Sequence, residues 1–101
     1  MFVRVTGDEV TLEEPDDCGR LHVDASGVDD DRVGRALRDG ALGALENDHA
    51  LLDPTALRRL AAGRVGDDWD ERFGAMVDYA NRKGWVGPDG RLQAHLERAA
   101  S

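Results

Sequence analysis

The spacing of the hydrophobic residues changes along this chain, and that change limits the fold more than any other feature of the sequence. Over residues 1–27, hydrophobic and polar residues alternate, which is typical of strands with one buried face. Over residues 28–101, hydrophobic residues recur every three or four positions, as in an amphipathic helix. The strongest helical run is Trp69, Phe73, Met76, Val77 and Ala80. The chain therefore divides into a β-rich segment, 1–27, and a mainly helical segment, 28–101.

The β-rich segment predicts three short strands. Residues 3–5 and 10–12 alternate on either side of Gly7, and this pattern predicts a β-hairpin. Residues 20–26 alternate again. Three such strands predict a small antiparallel sheet with one buried face.

The first predicted helix, residues 31–46, carries three glycines. The acids at 29–31 can cap its start. Gly34, Gly40 and Gly43 each cost about 1 kcal/mol relative to alanine in a helix. We therefore expect a close helix–helix or helix–sheet approach at Gly40 and Gly43, with a break of the helix near Gly40 as the alternative.

Two further helices have clearer ends. Asp53 as N-cap and Pro54 as first residue open the second helix, and Gly63 closes it. The third begins at residue 67 or 68 and ends at Gly84.

Residues 85–96 permit two structures. The sequence GPDG at 87–90 predicts a type I turn. Beyond it, Leu92, Ala94 and Leu96 alternate as in a strand, but Leu92 and Leu96 also fit one helical face together with Ala99. We favour a last helix, because this stretch is rich in helix formers and has no β-branched residue.

These elements predict a single α+β domain spanning residues 1–101. A small N-terminal antiparallel sheet of about three strands would pack on three to four helices, and the chain is long enough to bury a core. Residues 30–96, with a short extended segment at 49–52, also resemble a winged helix, provided that residues 85–96 form a hairpin.

The acidic residues are concentrated near the N-terminus. The whole chain has a net charge of −8. Residues 1–31 carry ten acids against two arginines, whereas residues 32–101 are neutral overall. A negative field repels phosphate, and the third helix opens with the acidic sequence DDWDE, so nucleic acid is disfavoured as a partner. The acidic segment could instead meet a basic protein.

A candidate interaction surface combines basic and aromatic residues. Arg58, Arg59 and Arg64 form a local basic patch, since no acid occurs between residues 54 and 66. The aromatic residues Trp69, Phe73 and Trp85 could gather at one end of the third helix. If partly exposed, the tryptophans would anchor a partner or wall a small ligand.

A second candidate site is a small-ligand or general-base site at Asp48, His49 and Asp53. A carboxylate close to His49 could orient its imidazole. The other histidines, His22 and His95, are scattered in the sequence, and the chain has no CxxC, HxxxH or HExxH motif and no glycine-rich phosphate loop. We therefore predict no catalytic residue, no cofactor and no specific metal site.

The sequence favours a small, non-catalytic protein-interaction or accessory module in the cytoplasm. The N-terminus lacks a signal-peptide pattern, no hydrophobic run is long enough to cross a membrane, and Cys18 is the only cysteine. The partner would be a protein, or a second copy bound through a sheet edge or the glycine-bearing helix. A winged-helix transcription regulator and a small enzyme or ligand-binding protein using His49 are the alternatives. Twelve arginines against one lysine, with no isoleucine, indicate a GC-rich genome such as that of a high-GC bacterium.

Overall fold

The computed structural model describes residues 1–6, 9–46, 49–87 and 89–97. Within these ranges the chain forms six strands and three helices. Their bounds, in chain order, are β1 Phe2–Thr6, β2 Glu9–Glu13, β3 His22–Asp24, α1 Asp30–Asp39, β4 Gly43–Glu46, β5 His49–Leu52, α2 Pro54–Ala61, α3 Trp69–Arg82 and β6 Leu92–Glu97. None of the described helices is both long and apolar enough to span a bilayer.

All six described strands join one mixed sheet in the order β2-β1-β3-β6-β5-β4. The pairs β1–β2, β5–β6 and β4–β5 are antiparallel, whereas β1–β3 and β3–β6 are parallel. The chain therefore builds one half of the sheet from its first 24 residues. It adds the other half after α1, and β6 joins the two halves in the middle.

The sheet curls around its helices. One face of β1, β2, β3, β5 and β6 contributes buried side chains to a single core, as the alternation of Leu92, Ala94 and Leu96 in β6 shows. Leu45 of β4 is partly buried against this core. Val33 and Leu37 of α1 enter the same core. Because α1 contacts both β2 and β4, which are opposite edges of the sheet, the strands form a half-barrel around it. The other sheet face carries exposed side chains, such as Gln93, His95 and Glu97 of β6.

The predicted fold class, a three-stranded antiparallel sheet on three to four helices, is wrong. The sheet has six strands and is mixed, and β3 runs parallel to β1 instead of antiparallel. Three strands, β4, β5 and β6, come from the segment predicted to be mainly helical. Alternation shows which residues form strands, but it does not show which strands pair, because pairing is decided by long-range contacts.

The winged-helix arrangement of residues 30–96 is also wrong. Val86 and Leu92 form one antiparallel bridge, so the chain does turn back after residue 86. Strand β6, however, is not the free arm of a wing. It lies in the middle of the sheet between β3 and β5, with ladders on both sides. Over residues 91–97, the predicted last helix is wrong for the same reason: burial in a central strand overrides the helix propensity of its residues. The rest of that prediction, residues 98 and 99, lies outside the described residues.

The glycines of the first predicted helix end it early. Helix α1 stops at Asp39, and Gly40 is its C-cap, so the break near Gly40 is confirmed. Gly43 then begins β4, with a φ of 157°. A Cβ on Gly43 would lie 1.7 Å from the carbonyl oxygen of Leu51. The close approach at Gly43 therefore joins the two strands β4 and β5, and the helix–helix or helix–sheet approach expected there is wrong.

The local predictions at the helix starts are confirmed. The carboxylate of Asp29 accepts a hydrogen bond from the N–H of Arg32 at 2.9 Å. The carboxylate of Asp53 accepts one from the N–H of Thr55 at 2.9 Å, and Pro54 follows it as the first helical residue. Each interaction satisfies a backbone donor that a helix start leaves unpaired.

Gly74 offers a stabilising substitution in the interior of α3. A Cβ on Gly74 would have no atom within 4 Å, apart from its own helix. We expect Gly74→Ala to raise the free energy of unfolding by about 0.5–1 kcal/mol, because alanine loses less backbone entropy in a helix. Urea denaturation followed by circular dichroism measures the change. A destabilised variant would show that the position has no room for a methyl group.

Candidate functional site

The three histidines lie in one row on the exposed face of the sheet. His95 in the middle of β6 is the register partner of His22 on β3 and of His49 on β5. Register partners on neighbouring strands project from the same face, with Cβ atoms about 4.5–5.5 Å apart. Three side chains that are far apart in sequence therefore become neighbours. We call them the histidine row.

His22, at one end of the row, already has partners. Its ring stacks on Phe2 with the centroids 4.9 Å apart, and its Nε2 lies 3.5 Å from Oε2 of Glu97. His49 and His95 are exposed, and neither forms a hydrogen bond or salt bridge with any residue that the structure describes. The two imidazoles are therefore free to meet a ligand.

An exposed aromatic pair stands near these two imidazoles. Tyr79 on α3 is 48% exposed and Trp85 is 46% exposed, and they are the two exposed large hydrophobic residues in the described part of the chain. Their rings meet edge to face, with centroids 5.9 Å apart. Gly84, with a φ of 77°, turns the chain after α3. The backbone of Trp85 is then held by hydrogen bonds from its N–H to Ala80 and from the N–H of Gln93 to its carbonyl.

A cleft of about 360 Å³ joins the aromatic pair to the histidine row, and we call it the α3 cleft. Its lining comes from the loop before β3, from the second half of α3, from Trp85 and from β5 and β6. The lining residues are Gly19, Arg20, Leu21, His49, Met76, Tyr79, Ala80, Trp85, Leu92, Gln93 and His95. Although the chain carries a net charge of −8, none of these lining residues is an acid. The cleft can therefore admit an anion that most of the surface would repel.

Of the predicted interaction surface, only Arg58 and Trp69 come together: both line one cavity, and both contact the ring of Phe73. Trp69 is buried in the core and donates a hydrogen bond from Nε1 to the carbonyl of Pro15. Arg64 bonds the carbonyl of Leu12 at 2.7 Å, and Arg58 lies over the ring of Phe73. Arg59 is exposed on α2. Of the five predicted residues, only Trp85 lines the α3 cleft.

The structure does not bring together the described residues of the predicted site at Asp48, His49 and Asp53. Asp48 lies outside the described residues. Asp53 follows the far end of β5 from His49, about 13 Å along the strand, and its carboxylate is used to cap α2. His49 reaches the α3 cleft without it, and its neighbour there is His95.

The described residues contain no group of three or more histidine, cysteine, aspartate or glutamate side chains placed to hold a metal ion. Cys18 is half-buried, and burial raises the pKa of its thiol above the usual range. The raised pKa disfavours the thiolate, which is the form that attacks substrates and binds metals.

Sequence reasoning missed most of the cleft. It singled out His49 and Trp85, but not Arg20, Tyr79 or His95. The alternation of β6 places His95 on the exposed face and could have been used. The register that sets His95 opposite His49 has no counterpart in the sequence, because it depends on where β5 and β6 meet.

Beside the histidine row, the carboxylate of Asp24 has a lowered pKa. The hydroxyl of Ser26 donates to it at 2.7 Å and the N–H of Ser26 at 3.1 Å, and both bonds favour the ionised form. A lowered folded-state pKa stabilises the protein above the unfolded-state pKa, near pH 4 for an aspartate, and this stabilisation is lost as the pH falls through the folded-state pKa.

We expect Ser26→Ala to move the pKa of Asp24 back towards the usual range, because the hydroxyl bond is the largest cause of the shift. A carbon-detected NMR titration of the Asp24 carboxyl group measures this. Ser26→Thr keeps a hydroxyl and serves as the control. An unchanged titration in Ser26→Ala would contradict the role of that bond.

Comparisons with known proteins give no relative of this chain: no protein-family model, no curated protein and no solved structure matches it.

Proposed function

We propose that this protein is a small, non-catalytic binding module whose α3 cleft holds a small anion with a flat, apolar body. The observation that carries the proposal is the placement of Tyr79 and Trp85. These are the two large hydrophobic residues that the described chain leaves exposed, and both line one cleft. Exposed apolar clusters on small proteins commonly mark binding sites.

The apolar half of the cleft suits a flat ligand. Tyr79, Trp85, Met76 and Leu21 line it. Aromatic rings and a methionine thioether make favourable contacts with planar groups. The volume of about 360 Å³ lies at the lower end of the range of small-molecule sites, which is about 300–1,000 Å³.

The polar half of the cleft suits an anion. Arg20 forms no salt bridge with any described acid, so its guanidinium keeps its donors for a ligand. A guanidinium can hold a carboxylate, sulfonate or phosphate through two parallel hydrogen bonds. The absence of acids from the described lining removes the competing charge.

The non-catalytic role stays a prediction from the sequence, which has no CxxC, HxxxH or HExxH motif and no glycine-rich phosphate loop. A cytoplasmic location remains part of the proposal and is supported by the single cysteine. A protein partner for the acidic segment stays a prediction from the sequence.

Two matched fluorescent probes test the proposal. Anilinonaphthalenesulfonate has a flat apolar body and an anionic group, and phenylnaphthylamine has the same body without the charge. We expect Trp85→Ala to lower the affinity of the protein for both probes. Arg20→Gln should lower the affinity for the sulfonate probe about tenfold, because a charged hydrogen bond contributes roughly 1.5 kcal/mol or more. The affinity for the neutral probe should stay unchanged.

Arg59→Gln is the control for charge, since Arg59 is an exposed arginine outside the cleft. If Arg59→Gln and Arg20→Gln lower the affinity for the sulfonate probe equally, the anion is attracted by the overall charge of the protein and not by Arg20. If Trp85→Ala leaves both affinities intact, the probes bind elsewhere and the cleft is not the site.

A further inference from the structure

We propose that His49 and His95 together bind one divalent ion of the first transition series, such as Ni²⁺, Cu²⁺ or Zn²⁺, within the α3 cleft. Two facts bring these imidazoles together: they are direct register partners on the antiparallel strands β5 and β6, and both line the same cleft. The inference does not depend on the anion proposed above.

The spacing of the two residues fits a shared ion. Direct cross-strand partners have Cβ atoms about 4.5–5.5 Å apart. An imidazole nitrogen binds such a metal at about 2.0–2.1 Å, so two ligating nitrogens need to come within roughly 4 Å of each other. Both side chains are exposed, so rotation about their own bonds can achieve this without moving the strands.

The contacts of His22 explain why the metal would bind to His49 and His95 and not to His22 and His95. His95 is equally a register partner of His22. His22, however, is stacked on Phe2 and lies against Glu97, so binding a metal would break existing contacts. His49 and His95 have no such contacts with the described residues and lose nothing when they bind.

The ligand type selects the class of metal. Imidazole nitrogen favours Cu²⁺, Ni²⁺ and Zn²⁺, whereas Mg²⁺ and Ca²⁺ need oxygen ligands, and the described lining has no carboxylate. Two protein ligands leave the remaining positions to water. This agrees with the absence of a described group of three ligands, and it implies a modest affinity that follows the order Cu²⁺ above Ni²⁺.

Titration with Ni²⁺, followed by proton–nitrogen NMR of the whole chain, tests the inference. Ni²⁺ is paramagnetic and broadens signals close to it. We expect the first signals to broaden at His49, at His95 and at the indole of Trp85, which lines the same cleft, and a chelator should restore them. The indole of Trp69, buried against Pro15, serves as an internal reference.

His49→Gln and His95→Gln should each weaken Ni²⁺ binding about tenfold or more, because one imidazole alone is a weak ligand for these ions. His22→Gln is the matched control and should leave the affinity within about twofold, since His22 supplies no ligand in this arrangement. All three positions are on the exposed sheet face, and the site of broadening in the unmodified protein supports or refutes the inference without any variant.

Three results would overturn the inference: broadening centred on the acidic residues 29–31, broadening centred on Cys18, or an equal loss in His22→Gln. Each would place the ion on a different set of ligands. Failure here leaves the proposed anion site intact, because that proposal is tested by Arg20, by Trp85 and by metal-free probes.

Discussion

Replacing Phe73 with alanine should lower the free energy of unfolding by about 3–5 kcal/mol. Phe73 is fully buried, and its ring contacts both Trp69 and Arg58. Trp69 stacks on one face with centroids 4.7 Å apart, and the guanidinium of Arg58 lies 4.9 Å from the ring centroid. Alanine would leave a cavity where α3 meets the core, and its walls would lose their contacts.

Urea denaturation followed by far-ultraviolet circular dichroism measures this loss. Small domains have a total stability of about 5–15 kcal/mol, so the alanine variant can unfold outright. Phe73→Leu retains more of the side-chain volume, so we expect a smaller loss for it. Tyr79→Ala is the control on the same helix: its ring is about half exposed, and the loss should stay below about 1 kcal/mol. Equal losses at Phe73 and Tyr79 would mean that Phe73 is not part of the core.

Replacing Gly43 with alanine should cost about 2–3 kcal/mol, although it adds only one methyl group. The φ of 157° is unfavourable for a side chain, and strained backbone of this kind costs of order 1–3 kcal/mol. The new Cβ would also lie 1.7 Å from the carbonyl oxygen and 2.8 Å from the carbonyl carbon of Leu51. These are backbone atoms of β5, so β4 would have to move away from its partner strand.

The same denaturation experiment measures the loss in the free energy of unfolding, and amide hydrogen exchange shows which strands are destabilised. We expect faster exchange in the β4–β5 ladder, with the β1–β2 hairpin protected as before, because Gly43 pairs with Leu52 at one end of β4. Gly74→Ala is the matched glycine control, and its expected effect has the opposite sign. A neutral Gly43→Ala would show that the two strands do not approach so closely.

Helix starts and the first hairpin could be predicted because they are local. An aspartate carboxylate beside an unpaired N–H forms a cap whatever the rest of the chain does, as at Asp29 and Asp53. The helical run at Trp69 and Phe73 and the alternation of residues 3–12 likewise depend on neighbours a few positions away. Where a local signal was ambiguous, prediction was less successful. At Gly40 the sequence left two alternatives open, and in residues 91–97 the predicted helix was wrong.

The sequence by itself determined the caps at Asp29 and Asp53, the first hairpin, and the burial of Trp69 and Phe73 in α3, because each depends on residues a few positions apart. Only the tertiary structure decided that β3 and β6 run parallel and that β6 completes the centre of the sheet. It also decided that His22, His95 and His49 stand in one row. Strand pairing joins residues as far as 73 positions apart, as at His22 and His95, through generic backbone hydrogen bonds. The partner strand is selected by packing in the finished core.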